Sequence, residues 1–110
     1  MAASGLRFEN ACWPNAMCSP SRAAVWTWRL PCQHGDHTWL NDRLAVLWPE
    51  DWNAVNEFDT LSEILKRYGY ATAMIGKYQL GKLDKPQSGI DHWITMAREH
   101  TLDFYGNLCP

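Results

Sequence analysis

A capped amphipathic helix that runs straight into a short apolar segment constrains this chain more than any other feature. Thr60 and Glu63 form the two halves of a capping box. Leu61, Ile64, Leu65 and Tyr68 recur at helical spacing, which predicts a helix over Thr60–Tyr68 with one apolar face. Gly69 is placed to close it in the left-handed conformation. The apolar run Ala71–Ile75 then reads as a buried strand. A helix feeding a strand in this way is the unit of a layered α/β fold, a mixed sheet flanked by helices. Gly76-Lys77-Tyr78-Gln79-Leu80-Gly81 leaves the strand at its carboxyl end, where ligands bind in open α/β sheets. A further short strand is expected over Ile90–Ile94.

The amino-terminal part is less periodic. Leu6–Ala11 is short and partly apolar and reads as a strand, and Asn15–Ser19 reads as a loop. Ser19 is a good N-cap and Pro20 suits a first helical position, so a helix is expected to start there and to end at or before Pro31. Residues 32 to 58 are polar and irregular and read as a long surface loop, a length that inside a compact domain points to function or to a larger whole. The tail to Pro110 carries no clear period.

Bulk properties narrow the partners. A length of 110 residues suffices for one small domain. A net charge of −2 provides no basic field for nucleic acid or an anionic membrane. Apolar runs fall far short of a membrane span, and no charged start followed by an apolar stretch marks a signal peptide, so a cytoplasmic location is the default expectation. The four cysteines, Cys12, Cys18, Cys32 and Cys109, read as free thiols. Cys32-x-His34-x-x-His37 lacks the fourth ligand of a structural zinc site. The seven tryptophans are unusually many for a chain this short.

The chemistry is concentrated in Cys18-Ser19-Pro20-Ser21-Arg22. A nucleophile at a helix start has free backbone N–H groups and the positive end of the dipole beside it, both of which favour an anion. Arg22, one turn on, can bring its guanidinium back towards residue 18. This string resembles the sulfatase signature C-x-P-S-R. The signature's usual continuation, x-x-x-L-T-G-R, is matched here at Thr27 and Arg29, with Trp26 in place of Leu and Trp28 in place of Gly. Gln33-His34-Gly35 with His37 and Trp39 resembles a Q-H-G-x-H-x-W loop of one branch of that family. Thr60 to Gly81 resembles the block T-L-x-E-x-L-x-x-x-G-Y-x-T-x-x-x-G-K-W-H-L-G, and Gly89 to Trp93 resembles the G-F-D-x-F/W strand that follows it.

The resemblance implies a fragment of an alkaline-phosphatase-like α/β sandwich that occupies residues 1–110 as a partial amino-terminal catalytic domain. It implies that Cys18 is oxidised by a formylglycine-generating enzyme to formylglycine, the nucleophile and a metal ligand. It implies that Arg22 stabilises that group, that Lys77 contacts the sulfate, that His37 lies near the substrate, and that Gln79 stands where the family usually has a catalytic His. Glutamine donates a hydrogen bond but carries neither proton nor charge. The implied metal is Ca²⁺ (or Mg²⁺) and the implied substrate a sulfate-ester small molecule or a sulfated glycan. Glu9 is the only acidic residue before Cys18, so the family's first aspartate pair is expected to lie outside this chain, together with the later ligands. The isolated chain is therefore expected to be inactive. Three alternatives stay open: a phosphonate monoester or phosphodiester hydrolase of the same superfamily, a non-catalytic truncated remnant, and an unrelated small α/β binding module. If position 28 needs the positive φ that Gly accepts, Trp28 costs about 1–2 kcal/mol.

Overall fold

The computed structural model describes residues 3–41, 44 and 47–96; the tail from 97 onward, with Cys109, lies outside the described residues. Helix α1 spans Cys18–Thr27, a single-turn helix α2 spans Pro31–His34, and α3 spans Leu61–Arg67. Strands β1 (Ala73–Gly76) and β2 (His92–Thr95) pair in parallel, Ala73 opposite His92 and Gly76 opposite Thr95. Among the described residues the Leu6–Ala11 segment forms no strand, and Leu6 and Phe8 stand largely exposed.

Helix α3 follows the sequence closely. The Thr60 backbone N–H donates to Glu63 Oε2 at 2.8 Å, and the Glu63 N–H returns to Thr60 Oγ1 at 3.4 Å. Gly69 has φ 83° and closes the helix as expected. Gly89, φ 71°, turns the chain against the start of α3, where an added Cβ would come within 2.8 Å of the Glu63 side chain. Only a residue without Cβ fits that approach at that φ.

Helix α1 departs from expectation at its start and ends, as expected, before Pro31. Its N-cap is Met17 rather than Ser19, so Cys18 is the first helical residue. Asn15 Oδ1 accepts the Met17 N–H at 2.7 Å, and Ser21 N–H reaches the Met17 carbonyl, which winds the chain before Ser19. The Ser19 hydroxyl is occupied elsewhere, accepting the Leu40 N–H at 3.0 Å. Pro31 does not end α1. The helix closes at Trp28 (φ 59°, ψ 25°), whose N–H bonds the Ala24 carbonyl, and Pro31 opens α2 at its first position. Gln33 Oε1 caps α2 by accepting the Leu30 N–H, and Gly35 at φ 79° ends it. The long loop therefore begins after a turn of helix, because proline at a helix start loses no bond.

Both strands start later than the apolar runs do. Thr72 is diverted into a polar clasp, its N–H and Oγ1 both donating to Asp91 Oδ2 at 3.1 Å, and Ile90 turns into the core. Asp91 Oδ1 also takes Lys66 Nζ at 2.5 Å. Nor is β1 buried: Met74 and Trp93 pack on the core, while Ile75 on the opposite face is 74% exposed. A two-stranded sheet has one covered face, and alternation sends every second residue away from it.

The core is small, comprising Ala23, Val55, Tyr78, Leu80 and Ile90. Full burial of a side chain such as Leu80 contributes about 1.5–3 kcal/mol. Trp26 and Trp93 meet the Tyr78 ring edge-on, at centroid distances of 5.9 and 4.9 Å. The family pattern has Leu at position 26 and Trp at 78; here the large indole sits on α1 and the smaller phenol in the loop. Exchanges that conserve volume across a contact are those a packed core accepts best.

Two outcomes test this account. Trp28 is held at positive φ and is 76% exposed, so it carries the steric cost of that conformation with little burial to offset it. Trp28→Gly is expected to stabilise the chain by about 0.5–1 kcal/mol, the relief of strain less the chain entropy of glycine, read as a higher melting temperature. The hydrogen bond from Lys66 and those from Thr72 hold the Asp91 carboxyl at about 2, below its ordinary 3.8. A depressed carboxyl contributes stability above its unfolded value and loses it as pH falls through the folded one. Acid melts of the wild type should steepen between these values, and Asp91→Asn should remove that component.

Candidate active site

Three segments meet at the first turns of α1. The helix presents Cys18 at its first position, half-buried, and Arg22 one turn later. Residues 77–81, leaving β1, pack against it through Tyr78 and Leu80 in the core with Ala23. The segment 31–40 wraps the other side, tied by the Leu40 N–H to Ser19 Oγ bond.

The direct link is between Arg22 and the loop after β1. Arg22 Nη1 donates to the Lys77 carbonyl at 2.5 Å, across 55 positions of sequence. The guanidinium one turn on from Cys18 is thus bonded to the backbone of the loop that carries Lys77. Arg29 has a different role: its guanidinium lies 5.0 Å from the centroid of the Phe58 ring.

Gln79 is fully buried at φ 58°, and neither its Nε2 nor its Oε1 has a hydrogen-bond partner among the described residues. A buried amide with no partner costs about 1–3 kcal/mol. Left-handed backbone at a non-glycine residue adds to that. Its neighbours in the loop are all fastened. The Leu80 carbonyl accepts the Ala54 N–H at 2.7 Å, and Gly81 bridges Asn53. A Cβ at Gly81 would lie 2.9 Å from the Trp52 carbonyl.

His37 is exposed in the wrapping segment. Beside it stand His34, which the sequence marks together with His37, and Asp36, which it does not. His34 is 7% exposed, its Nδ1 accepts the Asp36 N–H at 3.1 Å, and its Nε2 has no bond of acceptable geometry among the described residues. Asp36 Oδ2 is likewise buried without a partner. Burial lowers the His34 pKa, opposed by the nearby Pro20 carbonyl and reinforced by His37; burial raises that of Asp36. For Asp36, the neighbouring Gly35 turn is the signal in the sequence that could have marked it.

A calcium or magnesium ion needs roughly six to eight oxygen ligands, or a near-ideal octahedron, respectively. Among the described residues no three His, Cys, Asp or Glu side chains converge to hold a metal, Cys32, His34 and His37 included. By themselves these residues do not fit a metal centre. No helix among the described residues is long and apolar enough to cross a membrane.

The lowered His34 pKa has a measurable sign. A histidine held neutral in the fold contributes stability above its unfolded value of 6.5 and loses it as pH falls through that value towards the folded one. Melting temperature should drop on acidification below neutrality, and His34→Asn should flatten that slope.

Comparison with known proteins identifies the family. The family profile described as Sulfatase matches residues 1–107. The chain is 37% identical to an arylsulfatase of Hemicentrotus pulcherrimus over 110 residues, all of this chain and 19% of that protein. It is 37% identical to human N-acetylgalactosamine-6-sulfatase over 107 residues, 91% of this chain and 20% of that protein. It is 32% identical to an N-acetylglucosamine-6-O-sulfatase of Bacteroides thetaiotaomicron over 106 residues, 96% of this chain and 16% of that protein. The chain thus spans about a fifth of the length of the curated relatives it matches. No solved structure matches it. A signature cysteine on a helix start, an arginine one turn on bonded to the lysine loop, and a family match over nearly every residue lead to one conclusion: the chain belongs to the sulfatase family.

Proposed function

We propose that this chain carries the nucleophile portion of a sulfatase site and that the protein it represents hydrolyses sulfate esters, of a small molecule or a sulfated glycan. The observation that supports the reading best is the Arg22 to Lys77 carbonyl bond, which ties the helix that begins at Cys18 to the loop that carries Lys77. Oxidised to formylglycine by a formylglycine-generating enzyme, position 18 supplies an aldehyde hydrate. One hydroxyl oxygen attacks sulfur as the S–O ester bond breaks and the alcohol leaves with a proton. The other hydroxyl then loses its proton, sulfate is expelled as the aldehyde re-forms, and water restores the hydrate. One difficult displacement is thereby split into two easier steps.

The chain's own residues set the surroundings of that step. Position 18, at the first residue of α1, lies among unpaired helix N–H groups that favour a developing anion. Arg22 fixes the loop and adds positive charge; Lys77 provides a compact point charge suited to a sulfate oxygen. Gln79 offers a neutral N–H where the family has a histidine, so it orients an oxygen and transfers no proton. His37 borders the substrate from the wrapping segment. A divalent cation, Ca²⁺ or Mg²⁺, is implied by the family, with position 18 the contribution of this chain.

Tandem mass spectrometry of the tryptic peptide Phe8–Arg22, after co-expression with a formylglycine-generating enzyme, tests the reading. Cys12 lies in the same peptide as an internal control. Conversion of Cys18 alone is the expected outcome. A Cys18 that stays a thiol overturns the catalytic reading and leaves a non-catalytic member of the family.

A further inference from the structure

The loop from Lys77 to Gly81 is fastened on both sides of Gln79, and the strongest fastening is one the family pattern lacks. Tyr78, fully buried, stands where that pattern has Trp. Its hydroxyl accepts from Asn53 Nδ2 at 2.6 Å and lies 2.9 Å from Ser88 Oγ. The same Asn53 amide nitrogen lies 2.8 Å from Gln87 Oε1 and 3.1 Å from Ser88 Oγ, so its two hydrogens serve three acceptors. Asn53 Oδ1 in turn accepts the Val55 N–H at 3.0 Å, and Gln87 Nε2 donates to the Lys82 carbonyl at 2.6 Å. The network spans the 53–55 turn, the loop and the 87–88 turn. An indole in place of the phenol has a donor and no acceptor, and so cannot receive the Asn53 N–H.

We infer that Tyr78 is a positioning residue for the sulfate site: its phenol, held by Asn53 and Ser88 between Trp26 and Trp93, fixes the backbone that turns Gln79 into its left-handed, unpartnered pose and sets Lys77 beside α1. The inference rests on the proposed sulfate reading for its ligand and on the geometry alone for the positioning. Three observations carry it. The Tyr78 ring is wedged edge-on by two indoles, so it does not rotate out of register. The hydroxyl bonds tie the loop to Asn53 and Ser88, both outside it. Gln79, the next residue, carries a costly φ and a costly unpaired amide, which a structure keeps only where its surroundings over-determine the backbone. The loop is fastened at positions 77, 78, 80 and 81, and between them the buried Gln79 amide lacks a partner among the described residues, the kind of group that an oxyanion reaching it would complete.

The test uses ¹⁵N,¹³C-labelled chain in three forms: wild type, Tyr78→Phe and Ser88→Ala. Tyr78→Phe keeps the ring and removes the hydroxyl; Ser88→Ala removes a hydroxyl partner from outside the loop and guards against a folding defect in the first. Without ligand, the Gln79 Cα and Cβ shifts report its left-handed backbone. The side-chain amide of Gln79, assigned by its loss in Gln79→Met, and the Lys77 backbone N–H report inorganic sulfate, titrated against chloride at constant ionic strength. Both variants are expected to move Gln79 from left-handed shift values and to weaken sulfate binding by about tenfold, the effect of losing roughly one hydrogen bond's worth of orientation. Variants that lower the melting temperature but leave the Gln79 shifts and the sulfate affinity at wild-type values would overturn the inference and make Tyr78 a core residue only. If wild type itself shows no response to sulfate, the sulfate reading fails. The ligand-free shifts then decide positioning alone: displaced values uphold it, unchanged values remove it.

Discussion

The bond from Arg22 to the Lys77 carbonyl is the interaction on which the arrangement depends. It joins the helix that carries the signature cysteine to the loop that leaves the first strand, two segments with no local reason to meet. A guanidinium suits this task because its planar fork is pre-organised and keeps its charge at any working pH. Once that contact is made, Ala23 and Tyr78 come together in the core, and the polar clasp around Asn53 finds its partners.

The apolar core is modest, and much of the cohesion is polar and aromatic. Thr60, Ser62 and Gly89 bring the carboxyl-terminal strand turn against α3, with the Ser62 hydroxyl donating to the Ser88 carbonyl. Asp91 ties β2 to α3 through Lys66 and to the start of β1 through Thr72. The tryptophans serve differently. Trp26 and Trp93 flank Tyr78, and Trp93 Nε1 donates to the Leu83 carbonyl at 2.7 Å. Trp48 and Trp52 lie against each other at 4.5 Å. Trp13 and Trp28 stand mostly in solvent. The high count is thus divided between wedges in the core and side chains on the surface.

The site combines satisfied and unsatisfied polar groups in a way that separates support from chemistry. Arg22, Tyr78, Asn53 and the Leu80 carbonyl each have a partner, whereas the Gln79 amide, His34 Nε2 and Asp36 Oδ2 are buried without a well-formed hydrogen bond among the described residues. Groups of the second kind are expensive in a folded chain, and they cluster where something outside the chain completes them. For Gln79, the proposed completion is a sulfate oxygen. For the His34–Asp36 turn, the visible consequence is electrostatic: burial holds the imidazole towards its neutral form and the carboxyl towards its protonated form.

Local rules were legible in the sequence. The capping box at Thr60 and Glu63 and the left-handed close at Gly69 follow from short-range sterics and hydrogen bonding that neighbouring residues settle among themselves, whereas the positive φ at Trp28 was signalled only by the Gly of the family pattern. The family, too, was legible, because its motifs keep type and spacing along the chain. What the tertiary structure decided are the places where a long-range partner outbids a local preference. Ser19 would cap a helix, but Leu40 claims its hydroxyl, and the helix starts at Cys18 instead. Thr72 and Ile90 belong to apolar runs, yet Asp91 and the core take them out of the strands. Asn53 carries no mark in a loop read as solvent-exposed, and its role exists only because Tyr78 and Ser88 arrive from 25 and 35 positions away. Residue type and spacing determined which chemistry the chain can carry; which side chains hold it in place depended on contacts that only folding creates.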